Sequence, residues 1–571
     1  MTAAAENDLV VDTQYGAVRG VPSQVEGVAV FRGIPYAADT GGERRWRPPE
    51  PPQPWGGVRD ATRFGPVCPQ NQAETDYPMS EDCLSVNVWT PADALVAARR
   101  ADSAPASTPT TPTTPTTPTT PTTPTTPTTP TTPTTPTTRT PPQTGRPVLV
   151  WIHGGRFIWG SGRDPQFDGA ALAARGIVVV TLNYRLGVFG FLAAPELSRE
   201  SPHGSSGNYG LLDQVEALRW VQHNIAGFGG DPSRVTIAGQ SAGAASVMAL
   251  VYSPLAVGLL HGAIAESGAS HPLDPALAHL AASYREPPVA EAEGELFCEQ
   301  HGATAIAELR RMPAEALLVG NDADEPGPVG PRPPLFRPVL DGWVFARSYA
   351  ESLALGAPSD VPIITGTTKD EDGASPHPDV TLETFRSRAR RRYGDLADEF
   401  LRLYPASTDA EAAEMSNRAA RDHSRTSTQL WALLWARRAT SPAFTYFWTH
   451  AAPGEDAERR GAFHGSEIWY FVDSLSATDR PWTLHDREIA DTMARYVVAF
   501  VTTGDPNGPG RPVWPAADGS PRTMQLGDGF GPIATADPER FDLHRRYLED
   551  GSARTTNRRG AQPDAPGAPP A

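Results

Sequence analysis

The sequence predicts an α/β fold: a central, mostly parallel sheet with helices on both faces and helical cap-like insertions. Short β-branched or aromatic runs alternate with amphipathic or Ala-rich stretches, the pattern of strands joined by crossover helices. One of these junctions reads strand, Gly-x-Ser-x-Gly, helix, which places a serine on a tight turn at the end of a strand. No run of eighteen or more apolar residues occurs, so no segment is expected to span a bilayer.

Taken in order, the chain opens with MTAAAENDLV, acidic where a secretory leader needs a basic stretch and then an apolar one. That argues for a cytoplasmic protein. Residues 84–91 (LSVNVWTP) and 146–155 (RPVLVWIHGG) read as two strands, and between them lies a pure Thr/Pro repeat over residues 108–138. The repeat has no large apolar side chain to bury, and its prolines favour extended polyproline II, so it reads as an insertion within a domain and not as a boundary. Further strands are expected at 176–184 (GIVVVTLNY), 234–240 (RVTIAGQ), 361–368 (VPIITGTT) and 443–450 (AFTYFWTH). Residues 286–338 mix helical segments with Pro/Gly loops and read as a cap-like helical insertion. The organisation expected is one catalytic domain over residues 8–548, interrupted by 108–138, with a polar, Pro/Gly-rich and disordered tail at 551–571.

Composition excludes some functions. The formal charge of −17 and the absence of a basic run argue against nucleic acid, which requires clustered Lys and Arg. Lys369 is the single lysine. Three cysteines, Cys68, Cys83 and Cys298, are too few and too scattered for a zinc site, and no metal or organic cofactor is expected.

The chemistry is carried by Gly239-Gln240-Ser241-Ala242-Gly243, which follows the strand RVTIA and precedes the helix-prone AASVMAL. The bare pattern is weak, and its strand–turn–helix context is what makes it a nucleophile elbow of an α/β-hydrolase fold. His153-Gly154-Gly155-Arg156, at the end of the preceding strand, stands where that fold places its oxyanion loop; alone it would pass for an ordinary Gly-rich turn. A serine hydroxyl needs a base, and the base needs an orienting acid. After the elbow the order is Ser, acid, His. Among the later histidines, His464 lies between Gly and apolar residues, whereas His423 and His485 lie in charged stretches; position alone does not decide among them.

These motifs resemble the type-B carboxylesterase family, which includes para-nitrobenzyl esterases, animal carboxylesterases and cholinesterases. The likeness rests on Phe31-Arg32-Gly33-Ile34-Pro35-Tyr36-Ala37, Glu81-Asp82-Cys83-Leu84, Asn183-Tyr184-Arg185-Leu186-Gly187, Gly207-Asn208-Tyr209-Gly210-Leu211, and the run from Asn224 through Phe228 to Pro232. Gly504-Asp505-Pro506-Asn507 and Trp514-Pro515 extend it towards the end. The resemblance implies Ser241 as nucleophile, His464 as base and Glu371 as acid. It also implies an oxyanion hole from the N–H groups of Gly155, Arg156 and Ala242, Ser267 as a hydrogen-bond partner of the acid, and a disulfide between Cys68 and Cys83.

Three departures from the family bear on function. Arg156 replaces a small residue; only its N–H is needed, and its guanidinium either favours anionic substrates or, the preferred expectation, simply reaches solvent. Asp372 intrudes after Glu371, leaving Asp370 and Asp372 as alternative acids. Ala73 stands where cation-binding members carry an aromatic residue, which disfavours choline esters.

The implied activity is hydrolysis of small-molecule carboxylic esters, short-to-medium acyl or aryl, through an acyl-enzyme. The competing expectations are a catalytically silent interaction module and an amide or carbamate hydrolase.

Overall fold

The computed structural model describes residues 9–71, 77–102, 145–274, 283–325, 332–371 and 380–549. The Thr/Pro repeat, the tail from residue 551, Ala73 and Asp372 lie outside the described residues.

In chain order the strands are β1 (Val10–Thr13), β2 (Gly16–Arg19), β3 (Val21–Pro22), β4 (Val28–Pro35), β5 (Val58–Asp60), β6 (Ser85–Pro91) and β7 (Arg146–Ile152). They continue as β8 (Val178–Leu182), β9 (Gly230–Gln240), β10 (Gly262–Glu266), β11 (Ile363–Thr368), β12 (Ala443–Trp448), β13 (Arg522–Leu526) and β14 (Gly531–Ala534). Among the described residues, eleven of them form one sheet in the order β14-β13-β12-β11-β10-β9-β7-β8-β6-β4-β3. From β8 through β13 every neighbour is parallel, and both margins are antiparallel. A small separate sheet holds β1, β2 and β5.

The parallel strands are buried on both faces, which is why they read as unbroken apolar runs. In β7, Val148, Val150 and Ile152 enter one core while Leu149 and Trp151 enter the other. The first face is covered by the helices Tyr209–Asn224 and Ala242–Tyr252, the second by Leu484–Thr503. Each fully buried aliphatic residue contributes roughly 1.5–3 kcal/mol, so this two-sided burial dominates the stability of the sheet. The expected cap is present as the helices Pro287–Gln300, Ile306–Arg311 and Ala314–Leu317.

The sequence reading did not anticipate a second helical layer. The helices Leu382–Tyr393, Ala397–Leu403 and Pro538–Glu549 pack with the first half of Asp409–Ala436 around a core of their own, which includes Phe385, Phe400 and Leu543. The second half of the long helix sends Trp431 and Trp435 into the sheet core, so one helix joins the two.

Several family-like motifs are structural. Arg185 grips Asp213 through both carboxylate oxygens (2.6 and 2.8 Å) with both side chains buried, and Arg45 does the same with Glu81 (2.5 and 2.7 Å). A buried charge needs such a partner. Cys68 and Cys83 correct an expectation: both are buried free thiols, not a disulfide. The sulfur of Cys68 accepts the Leu186 N–H at 3.2 Å. Its hydrogen bond with Cys83, and then burial, pushes the Cys83 thiol far above its ordinary range, which keeps the thiol protonated and unreactive.

Candidate active site

Ser241 sits between the last residue of β9 and the helix Ala242–Tyr252, with φ 58° and ψ −119°. A serine with positive φ is strained by roughly 1–3 kcal/mol, and such strain persists only where the surroundings enforce it. Here close packing does so. A Cβ on Gly239 would lie 2.6 Å from the Gly243 carbonyl carbon and from Ile152 O, and a Cβ on Gly243 would lie 2.1 Å from Ile152 O. The two glycines therefore let the turn close against the end of β7, and Ser241 N–H donates to Glu266 O at 2.9 Å across to β10.

The loop after β7 faces this turn. A Cβ placed on Gly154 would come 3.5 Å from the Ser241 Cβ. Gly155 has φ 100°, and any side chain there would collide with Trp159 O at 2.0 Å; its own carbonyl takes the N–H groups of Ile158 and Trp159. Arg156 and Phe157 also have positive φ. Among the described residues, the N–H groups of Gly155 and Arg156 donate to no protein acceptor. His153, at the base of the loop, is buried and stacked on Tyr184, and the Tyr184 hydroxyl donates to His153 O at 3.0 Å. Burial pulls the His153 imidazole down to about 4, so it stays neutral. The Arg156 side chain reaches solvent, 42% exposed, and there it is ion-paired with Asp324 and donates to Arg332 O at 3.0 Å.

Glu371 follows β11 and His464 follows β12, so both approach from the carboxyl ends of neighbouring strands. His464 Nδ1 bonds Glu371 Oε2 at 2.5 Å, while Glu371 Oε1 accepts from Ser267 Oγ at 2.7 Å and from Thr368 N at 2.8 Å. Burial alone would push the Glu371 carboxyl up. The charge of His464 and the hydrogen bonds from His464, Ser267 and Thr368 outweigh burial and hold it below the usual range, ionised at neutral pH. An ionised carboxylate fixes the proton on Nδ1, which leaves Nε2 as the basic nitrogen. That nitrogen meets the Gln240 side-chain amide at 3.0 Å.

The alternatives to these two residues are placed elsewhere. Asp370 is buried, paired with Arg421 and accepting the Ala462 N–H at 3.0 Å; a bridge between Asp370 and Phe463 ties the Glu371 loop to the His464 loop. His423 is buried in the helical layer against Asp274, and His485 is exposed in the first turn of the helix Leu484–Thr503, where it touches His450. Among the described residues, one group could hold a metal ion, His450 with His485 and Asp528; both nitrogens of His450 already bond carboxylates, Asp528 and Asp486.

Sequence reasoning missed two residues here. Gln240 occupies a position the motif leaves open, and no signal in the sequence shows its amide reaching His464. Asp370 was weighed only as a rival acid, whereas it clamps the two loops together.

The family model described as Carboxylesterase family matches residues 7–532. The chain belongs to the carboxylesterase family. It is 35% identical over 549 residues to the fumonisin B1 esterase of Sphingopyxis macrogoltabida, covering 92% of this chain and 88% of that protein. It is 31% identical to the para-nitrobenzyl esterase of Bacillus subtilis (strain 168), covering 87% of this chain and 90% of that one. A carboxylesterase of Geobacillus stearothermophilus has a crystal structure that superposes with a TM-score of 0.70 at 32% identity, covering 95% of this chain and all of that one. This carboxylesterase is accordingly a hydrolase of carboxylic esters on the α/β-hydrolase fold. Among its described residues, no helix is long and apolar enough to cross a membrane.

Proposed function

We propose that Ser241, His464 and Glu371 carry the ester hydrolysis, with the N–H groups of Gly155, Arg156 and Ala242 as the oxyanion hole. The observation that carries this reading is the unbroken chain Ser267–Glu371–His464, which ends on a basic nitrogen beside Gln240, the neighbour of a strained serine. For chemistry, His464 Nε2 exchanges its contact with Gln240 for the Ser241 hydroxyl. Ser241 Oγ attacks the ester carbonyl as its proton passes to Nε2, and that proton then leaves with the alcohol as the C–O bond breaks. Water repeats the sequence on the acyl-enzyme, with His464 again taking a proton and returning it to Ser241.

The three N–H groups would hold the negative oxygen of each tetrahedral intermediate, and losing one such donor costs roughly 3 kcal/mol. Glu371 stabilises the imidazolium without taking its proton. Soluble small-molecule esters, short-to-medium acyl or aryl, are the proposed substrates. Residues 8–548 would form one catalytic domain, and the two adjacent thiols Cys68 and Cys83 suit the reducing cytoplasm.

A fluorophosphonate probe tests the assignment. Labelling of the wild type, mapped by peptide mass to Ser241, together with turnover of 4-nitrophenyl acetate or butyrate, is the expected result. A folded chain that takes no label would return the reading to a silent interaction module, and faster cleavage of anilides than of esters would favour an amidase.

A further inference from the structure

A cavity of about 460 Å³ is lined by none of the residues that take part in the chemistry above. Ligand sites span roughly 300–1,000 Å³. One wall is the segment Trp46–Glu50; the others are the helix Pro195–Glu200 with the turn after it, the start of the helix Tyr209–Asn224, and the turn at Asp341–Trp343. Much of this wall is apolar and fixed in place. Trp46 is buried, with its indole N–H donating to Val188 O at 2.8 Å, and Leu197 and Tyr209 are buried too. Trp343 is held by its turn: Asp341 Oδ1 accepts the N–H groups of Trp343, Val344 and Phe345 at 3.1, 2.9 and 3.0 Å. Its ring stacks on that of His203, with centroids 3.7 Å apart.

Two polar groups in this lining lack partners. Ser205 Oγ is buried and meets no hydrogen-bond partner among the described residues. Arg47 is exposed, and its guanidinium makes no ion pair and no hydrogen bond among them. The three carboxylates of the lining are, by contrast, compensated. Glu50 pairs with Arg44 at 3.4 Å, Glu200 accepts from both terminal nitrogens of Arg310 at 2.9 and 2.7 Å, and Asp341 is occupied by its three backbone donors. Hydrogen bonds from Arg310 first, and then the charges of Arg310 and Arg47, hold the Glu200 carboxyl below its usual range against burial, so Arg47 acts on it from beyond ion-pair reach. A free guanidinium, an unmet hydroxyl and aromatic walls together select an amphipathic anion. Its body covers the rings, and its carboxylate matches the planar fork of the arginine. A cation would find each carboxylate already taken.

We propose that this cavity is a second ligand site, separate from the site of hydrolysis, which takes a carboxylic acid with an aryl or alkyl body. Arg47 and Ser205 hold the carboxylate, and Trp46, Tyr209 and Trp343 hold the body. Ester hydrolysis releases a carboxylic acid, so the acid product of a turnover belongs to the class that this site accepts.

The test is calorimetric titration of the full chain with 4-phenylbutyrate, alongside 4-phenylbutan-1-ol and 4-phenylbutylamine, which carry the same body with no charge and with the opposite charge. The acid should bind saturably and more tightly than either control. Arg47→Ala should weaken the acid about tenfold, the scale of a lost charge-assisted hydrogen bond, and leave the alcohol unchanged. Ser205→Ala should weaken it about threefold. Arg47 is exposed, so its variant should fold, and kcat/KM on 4-nitrophenyl acetate should stay within about twofold of wild type. An amine that binds better than the acid, or the absence of saturable binding, would overturn the proposal. An acid affinity indifferent to Arg47→Ala would also overturn it, because the acid would then be bound elsewhere, as at the site of hydrolysis. A tenfold fall of kcat/KM in Arg47→Ala would do the same, since the cavity would then be part of that site.

Discussion

The molecule contains two histidine–carboxylate couples of similar geometry. His464 bonds Glu371 at 2.5 Å beside the strained Ser241, and His423 bonds both oxygens of Asp274 at 2.9 Å inside the helical layer. The first histidine is 41% exposed at its side chain and the second 4%. Burial pulls the His423 imidazole down, against the charge of Asp274, and its neighbours are other buried groups such as His544 and Tyr547. A hydrogen-bonded His–carboxylate pair is therefore not a catalytic device in itself. On the proposed reading it becomes one where solvent, a nucleophile and N–H donors meet at the ends of parallel strands, and elsewhere it ties helices together.

The largest effect expected from this contrast is at Ser241. Ser241→Ala should lower kcat by about 10⁶-fold and abolish fluorophosphonate labelling with an unchanged melting temperature, leaving His464–Glu371 as idle as His423–Asp274. A folded variant that retained turnover would remove the distinction between the couples. Glu371→Gln should come next, lowering kcat on the order of 10⁴-fold, the scale known for the acid-to-amide change in a serine protease. If Asp370→Asn did the damage instead, the wrong carboxylate has been paired with His464.

The converse change sharpens the comparison. Asp274→Ala leaves His423 without its partner and should cost about 3 kcal/mol of stability, read as a lower urea midpoint, while kcat/KM of the folded protein stays near wild type. A loss of kcat at unchanged stability would mean that the second couple communicates with the first.

The pH dependence of stability separates the couples further. The imidazoles of His423 and His544 are lowered by burial, so the unfolded chain binds their protons first. Their contribution is complete above about pH 6.5 and is lost as pH falls below it. Glu371, also lowered, acts in the same direction: its contribution is complete above about pH 4.5 and is lost as pH falls below it. His450 runs the other way: hydrogen bonds and charge from Asp528 and Asp486 outweigh burial and raise it, so its contribution is present below about pH 6.5 and lost as pH rises through its folded value. Urea midpoints from pH 5 to 8 for the wild type and His423→Gln should differ chiefly at the acid end.

The smallest effect is expected from deleting residues 108–138 and closing the gap with a short Gly/Ser linker. The flanking segments are joined by an Arg146–Asp93 ion pair at 2.8 Å, at the start of β7 and therefore at the opposite end of the strand from His153. Loop closure changes by only about 0.6 kcal/mol per doubling of length, and kcat/KM should stay within about twofold. A large loss of activity at unchanged melting temperature would place the repeat near Ser241.

The strands at 146–152, 178–182, 363–368 and 443–448 were legible because burial on both faces demands unbroken β-branched and aromatic runs. The helical layer around Phe385, Phe400 and Leu543 was not legible as a separate core, since its Arg-rich helices show only which side is apolar and not what covers that side. Ser241 was legible because the elbow is a local device, with strand, small residues and helix within a dozen positions.

What the sequence alone determined, then, is what short-range sterics and periodicity control: the strained turn at Ser241, the glycines that let it close against β7, and the alternation that builds a two-faced sheet. The tertiary structure decided everything that depends on proximity between distant segments. His464 and Glu371 are 93 residues apart, Glu371 and Ser267 are 104, and His423 and Asp274 are 149. Whether such a pair is a base with its acid or a buried strut depends on local dielectric and solvent access, and the same holds for the thiols of Cys68 and Cys83. Those properties arise only when the folded chain removes water from around the groups, so no local pattern of residues records them.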